Sequence, residues 1–383
     1  MDFFSKVKLL GESARFDICG DCFISDDVKR VKDINLSRWI YPVILPDGRK
    51  VRLLKVLLSN MCENDCAYCF ISKFTKIKRI YFSPEELADG FMRLYRKNIV
   101  SGLFLSSGVR CNPESTMQNL IDTAFILRKK YNFKGYIHLK VLPGSSLQSL
   151  EMAVKLASRV SINLEVPHDS YLRKVSMKKN FSQDLLDKLS HIAHFKIFHP
   201  EYIRDGFTTQ FVVGAAGESD REILSRVYDL YKNLSLTRAY YSAFQPVPDT
   251  PLENHAPTPP IREVRLYQAD FLLRKYGFDV SEIPFENEGN LNLFDDPKVV
   301  WARKHPEFFP VDIFKASYDE LLRVPGIGPK SARKIIKLRR ELSLISPEVL
   351  IKAIPSFRRS LPYIAFKGKR VLAETQKLTL FRL

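Results

Sequence analysis

From Val51 to about Gly277, short apolar runs alternate with stretches whose apolar residues recur every three or four positions. The runs Val51–Leu58, Leu103–Ser106, Tyr136–Leu142, Ser161–Val166, Thr209–Val213 and Ala239–Phe244 predict buried strands. The stretches between them predict amphipathic helices. Ser83-Pro-Glu-Glu opens the first with an N-cap, a Pro at N1 and early acids, and Leu87, Phe91 and Leu94 follow at helical spacing. Others start near Thr116, Ser146, Ser182 and Glu218. Six such repeats predict an α/β fold with parallel strands joined by right-handed crossovers. In sheets and barrels of this kind, ligands bind at the C-terminal ends of the strands.

The strand ends carry the candidate chemistry. Directly after the first predicted strand comes Cys62-Glu-Asn-Asp-Cys66-Ala-Tyr68-Cys69, with three thiols at i, i+4 and i+7. Thiolates suit iron–sulfur clusters and zinc, and four usually complete either site. Three leave one iron of a cubane open to a substrate or cofactor; a partial zinc site would share the spacing. The second strand ends in Ser106-Ser107-Gly108, small residues that let a ligand come close, and the third in His138-Leu-Lys140. Asn163 and Glu165 interrupt the apolar fourth strand and are expected to face a barrel interior, as ligand contacts or as a satisfied polar network. The fifth runs into Gly214-Ala-Ala-Gly217-Glu218, and the sixth into the Pro-rich loop Gln245–Leu252. Cys19 and Cys22 have the spacing of half a metal site or of a redox dithiol, but no partner completes them; buried or incidental thiols are the leading reading. Cys111 reads as a packing residue.

Past Ile261–Tyr276, an expected amphipathic helix, an acidic, Asn-rich stretch precedes a short helix near Pro297–Lys304. Then Tyr318–Arg323 and Lys330–Arg340 predict two short helices joined by Pro325-Gly326-Ile327-Gly328. Two glycines around one apolar anchor bring backbone N–H groups to the surface at a helix N-terminus. There Lys330, Ser331, Arg333 and Lys334 are placed to help hold a phosphate. A tight hairpin with a structural or protein-binding role has the same pattern. Phe357-Arg-Arg and Phe366-Lys-Gly-Lys-Arg370 continue a basic, aromatic-interleaved character that suits nucleic acid.

Charge sharpens this picture. The last 63 residues hold fifteen Lys/Arg against three Asp/Glu, so a net +12 of the chain's +17 lies there. Charge gathered in one segment is the footprint of a polyanion-binding module. With 45% hydrophobic and 27% charged residues, the chain otherwise has the composition of a soluble globular protein. No apolar run approaches the roughly 18 residues that span a bilayer. The N-terminus lacks the features of a signal peptide, so a cytoplasmic location, no membrane and thiols held as ligands are expected.

Cys-x3-Cys-x2-Cys with an aromatic before the last Cys resembles the signature of the radical S-adenosylmethionine (SAM) enzymes. The resemblance covers roughly Val51 to Leu252 and implies a partial (β/α)6 barrel. It implies that Cys62, Cys66 and Cys69 hold a 4Fe-4S cluster and that the backbone of Tyr68 lies near the adenine of SAM. Ser106, Ser107 and Gly108 occupy the place of the family's Gly-Gly-Glu stretch, without its acid. Asn163 and Glu165 fall where ribose- or carboxylate-binding groups often stand. Val213 to Glu218, including Gly214, is similar to a Gly-x-Ile-x-Gly-x-x-Glu stretch, and Pro248-Asp-Thr-Pro251 to a late adenine-side loop. The implied chemistry is reductive cleavage of SAM to methionine and a 5′-deoxyadenosyl radical, fed by an external electron donor. Pro325 to Lys334 resembles the helix-hairpin-helix motif, which grips nucleic-acid backbones without reading sequence.

Together the halves resemble radical SAM proteins of DNA modification or repair that end in a small all-α helix-hairpin-helix domain. The implied function is delivery of the radical to a nucleotide in DNA. Modification of RNA, chiefly tRNA, is the alternative, and a non-catalytic DNA-binding iron–sulfur protein is the alternative of another class. The expected division is an N-terminal extension (1–50), the radical SAM barrel (51–260), a helical linker (261–311) and a basic hairpin domain (312–383).

Overall fold

In the computed structural model, the described residues are 1–14, 39–44, 48–341 and 346–370. Cys19 and Cys22 lie outside them. The chain forms two compact units, one of Met1–Glu218 with Asp229–Pro260 and one of Ser219–Tyr228 with Ile261–Leu383.

The first unit is built on a curled seven-stranded sheet, a half-barrel, in the order β1-β2-β3-β4-β5-β6-β7. The strands are β1 Ile40–Ile44, β2 Lys50–Leu57, β3 Gly102–Ser106, β4 Tyr136–Lys140, β5 Arg159–Ser161, β6 Phe207–Val213 and β7 Arg238–Ala243. From β2 onward every neighbouring pair is parallel. The crossovers are α2 Pro84–Arg96, α3 Pro113–Phe125, α4 Leu147–Leu156, α5 Asp169–Val175 with α6 Asp187–Phe198, and α7 Asp220–Leu234, which continues into the second unit; α1 Phe3–Ser13 precedes the sheet. The expected caps form: Ser83 and Ser146 each accept the N–H three residues on. Leu87, Phe91, Leu103, Leu105, Ile137 and Leu139, all essentially inaccessible, belong to the core of this unit.

Two features depart from the sequence reading. β1 was not expected; it pairs antiparallel with β2, Pro42 opposite Arg52. At the edge of the sheet the missing N–H of a proline is tolerated. The strand expected over Ser161–Val166 stops at Ser161. Beyond it the Leu164 N–H bonds to the Thr209 hydroxyl instead of a backbone carbonyl, and pairing returns only at Glu165, whose φ is +68°. This break turns Asn163 and Glu165 out of a regular strand.

In the second unit, α8 Pro260–Lys275 and α9 Pro297–Lys304 precede the hairpin helices α10 Tyr318–Arg323 and α11 Pro329–Glu341, followed by α12 Pro347–Ala353. A three-stranded sheet of β8 Val311–Asp312, β9 Ile364–Phe366 and β10 Lys369–Arg370 accompanies the helices. Leu321, Val324, Ile327, Ile335, Leu350 and Phe357 lie in one core cluster. Among the described residues, no helix is long and apolar enough to cross a membrane.

Candidate functional site

The loop from Asn60 to Thr75 carries the three cysteines and is held on two sides. Arg79 donates to the carbonyls of Asn60 (2.6 Å), Ile71 (2.8 Å), Ser72 (2.7 Å) and Thr75 (2.7 Å), and to the Thr75 hydroxyl (3.0 Å). Asp65 accepts from the Ser176 hydroxyl at 2.6 Å and from the Met177 amide at 3.1 Å, while Lys178 donates to the Glu63 carbonyl at 2.8 Å. The loop after β7 closes over the same segment, with the Lys76 amide on Asp249 at 3.3 Å and the Leu252 amide on the Ala67 carbonyl at 3.4 Å.

So held, Cys62, Cys66 and Cys69 line one cavity of about 140 Å³ at the C-terminal ends of the strands. Tyr68, Ser106, Ser107, Gly108, Lys140, Asn163 and Glu165 line it too. Val213 and Gly214 do not. Val213 is fully buried in β6, and the Gly214 N–H bonds Glu218 at 2.5 Å in a self-capped turn; Gln210 and Val212 line the cavity from that strand. Cys111, expected to pack, is exposed, and its amide donates to the Glu63 carboxylate.

The sequence reading missed Lys179, Gln210 and Arg79. Lys179 is buried, 3.3 Å from the equally buried Glu165, and lines the cavity. Burial opposes its charge, but the Cys66 thiolate and Glu165 outweigh that and raise its pKa. Burial pushes the Cys66 and Cys69 thiols up, as it does the Tyr68 phenol, which Glu165 raises further. Lys179 and Arg79 sit in Lys- and Arg-rich runs that read as solvated surface, so no sequence signal separated them.

The residues fit an iron–sulfur cluster. Buried thiols resist ionisation unless a metal takes the place of the proton. The Val109 N–H points at Cys62 Sγ (3.4 Å), and Lys179 adds a cation beside Cys66. Gly108 keeps its side of the cradle open: a Cβ there would lie 2.6 Å from the Met61 carbonyl and 2.9 Å from Cys62 Cβ. Among the described residues, no three His, Cys, Asp or Glu side chains are grouped to hold a single metal ion. A cluster would instead take the three thiolates on separate irons and leave a further iron open.

A family model for the radical SAM superfamily matches residues 56–227, which spans this loop and most of the half-barrel. The chain carries a radical SAM domain. A helix-hairpin-helix motif matches residues 311–338. The enzymes of the radical SAM superfamily use an iron–sulfur cluster and SAM. Similar solved structures include the FeFe-hydrogenase maturase HydG (11% identity, TM-score 0.44, 58% of this chain, 49% of that one). Methylornithine synthase, PylB, is another (15%, 0.44, 58% and 61%), as is HydG from Carboxydothermus hydrogenoformans (14%, 0.47, 80% and 81%). The chain thus spans about half of the first and three-fifths of the second. No curated protein matches.

The hairpin after the radical SAM domain is formed as the sequence predicts. Ser317 and Glu320 cap α10 reciprocally. Gly326 has φ +84°, and a Cβ there would meet Ser360 Oγ at 2.8 Å and the Ser356 carbonyl at 3.0 Å. Pro325 and Ile327 are buried, and the Ile327 carbonyl accepts from the buried Lys298 ammonium at 2.6 Å. Gly328, half-buried, leads into α11, whose first N–H groups have no acceptor within the helix. Lys330 and Arg333 are exposed there and Ser331 half-buried; Lys334 is exposed but donates to the Ala353 carbonyl at 2.7 Å. Phe357, read as part of an aromatic-basic surface, is instead fully buried, while Arg358 and Arg359 are exposed.

Proposed function

We propose that this radical SAM enzyme acts on a nucleotide in DNA, for repair or modification, with Cys62, Cys66 and Cys69 as the three ligands of a 4Fe-4S cluster. One observation carries the reading: a single chain joins a three-thiol cavity at the mouth of a half-barrel to a helix-hairpin-helix whose exposed cations crowd a helix N-terminus. When bound, the cluster and SAM supply reductive cleavage to methionine and a 5′-deoxyadenosyl radical, driven by an external electron donor.

The chain's own residues bind, orient and shield. Tyr68, Ser106, Ser107, Lys140, Asn163 and Glu165 are the proposed SAM contacts that line the cavity. Lys179 and Glu165 form a buried charge pair that fixes the carboxylate. The loop from Gln245 to Leu252 lies over the cysteine loop and limits access of water. In the hairpin, Gly326 and Gly328 expose backbone donors, and Lys330 and Arg333 add charge for phosphates. A base within a duplex is out of reach, so the target is flipped, damaged or single-stranded.

The test is 5′-deoxyadenosine formation by the anaerobically reconstituted, reduced protein, with and without DNA, and with tRNA as competitor. Formation that rises with DNA supports the reading. A rise with tRNA alone moves the substrate to RNA. No formation with an intact cluster leaves a non-catalytic DNA-binding iron–sulfur protein.

A further inference from the structure

Beneath the cavity the half-barrel interior holds two polar side chains with no partner. Lys140 of β4 and Gln210 of β6 line the cavity. Alternation along a strand puts His138 and Thr208 on the same face, one step toward the N-terminal ends. His138 stands opposite Phe104 in the β3–β4 register and meets its ring edge-on at 4.8 Å. His138 is 0% and Thr208 1% exposed, and neither the two ring nitrogens nor the hydroxyl has a hydrogen-bond partner. Beside and below them lie Val43, Val51, Leu53, Phe104 and Tyr136, with the buried Arg159 guanidinium over the Tyr136 ring. Unpartnered polar groups are unfavourable in such a place, where an apolar residue would cost nothing.

We propose that His138 and Thr208 form the floor of the substrate site and receive the polar edge of a nucleobase. The inference rests on the nucleotide reading above and specifies which part of the nucleotide goes deepest. Burial, with Arg159 and Lys140 nearby, keeps the imidazole neutral. It therefore offers one donor and one acceptor, and the threonine hydroxyl offers one of each. A base edge alternates N–H donors with carbonyl or ring-nitrogen acceptors and can satisfy both kinds. A phosphodiester has only acceptors and would leave the acceptor nitrogen of His138 unpaired; an apolar substrate would leave all three atoms unpaired. A base entering from the cavity passes between the side chains of Lys140 and Gln210, the layer directly above.

The test uses full-length protein with histidine imidazoles labelled with nitrogen-15, titrated with thymidine, deoxyguanosine, deoxyadenosine and deoxycytidine, and separately with inorganic phosphate. We expect at least one nucleoside to shift a single imidazole signal that His138→Phe removes. Both His138→Phe, which suits the contact with Phe104, and Thr208→Val, which keeps the shape, should weaken that nucleoside at least tenfold. Thermal melting verifies folding, and Thr208→Val carries the test if the histidine variant does not fold. A signal that answers to phosphate and not to nucleosides, or to none of them, overturns the proposal. So does unchanged nucleoside affinity in a folded variant. The titration needs no cluster, so failure of SAM cleavage and failure of the subsite are read separately.

Discussion

Arg79 spans the cysteine loop with a single guanidinium, and Arg79→Ala removes all five of its hydrogen bonds at once. A hydrogen bond to an ionised group contributes about 1.5–3 kcal/mol, so simple addition gives about 8–15 kcal/mol. That equals the entire stability of an ordinary domain, about 5–15 kcal/mol, so addition overshoots. The five bonds share one side chain, so their contributions do not add independently. A local cost of about 3–4 kcal/mol is the size expected when a partly buried network loses its centre. At about 1.4 kcal/mol per decade, loop opening becomes about 100- to 1,000-fold more frequent. Hydrogen exchange of the cluster-free protein reads this directly. The amides of Cys69, Ser72 and Thr75, bonded within the loop, should speed up by that factor, while those of β3 and α2 stay as they are. Arg79→Lys, which keeps the charge but not the planar fork, should fall between. Wild-type exchange at these amides in Arg79→Ala would refute the clamp.

Cys66→Ala should lose cluster iron and the absorbance near roughly 400 nm of thiolate-bound cubanes; a normal cluster would remove Cys66 from the ligand set. Gly326→Val places a side chain at φ +84° against Ser360 and Ser356, and should destabilise the hairpin by about 1–3 kcal/mol and weaken DNA binding without loss of iron. Lys330→Ala should lower the slope of log affinity against log salt by about 1; an unchanged slope would exclude a phosphate contact. Burial drives the Lys298 pKa down to about 7, against the pull of Asp296. Unfolded, the lysine titrates near 10.4, so between about pH 7 and 10 the unfolded chain holds more protons and stability rises with pH. Chemical denaturation across that window should show a rise of about 3–5 kcal/mol in the wild type relative to Lys298→Met; parallel curves would contradict a buried, destabilised ammonium.

Much of the half-barrel was legible because strands such as β3 are built on apolar runs and helices such as α2 and α4 open on a capping serine. β1 was not: five residues with a central proline carry too little pattern, and only its place at the sheet edge makes it a strand. The end of β5 was misjudged for a related reason. Alternation in Ile162–Val166 is real, but the Thr209 hydroxyl takes a backbone donor and breaks the ladder, which no local pattern reveals. Cys62, Cys66 and Cys69 announced themselves by spacing. Arg79 and Lys179 did not, since a lysine or arginine in a basic run looks the same whether it faces water or a buried thiol. Phe357 shows the converse: its basic neighbours suggested a surface, while its own side chain went to the core.

Among the described residues the seven-stranded sheet does not close; it ends on two edges, β1 and β7. A closed barrel is a well, entered only from its ends. A reacting group within a long polymer can enter a well only if the chain on both sides bends sharply at the rim. A half-barrel is a trough, and a unit of a polymer can be laid into it sideways while its neighbours run on past either edge. For the nucleic acid proposed as substrate, the unclosed sheet would set a geometric tolerance for length, separate from any affinity the side chains provide.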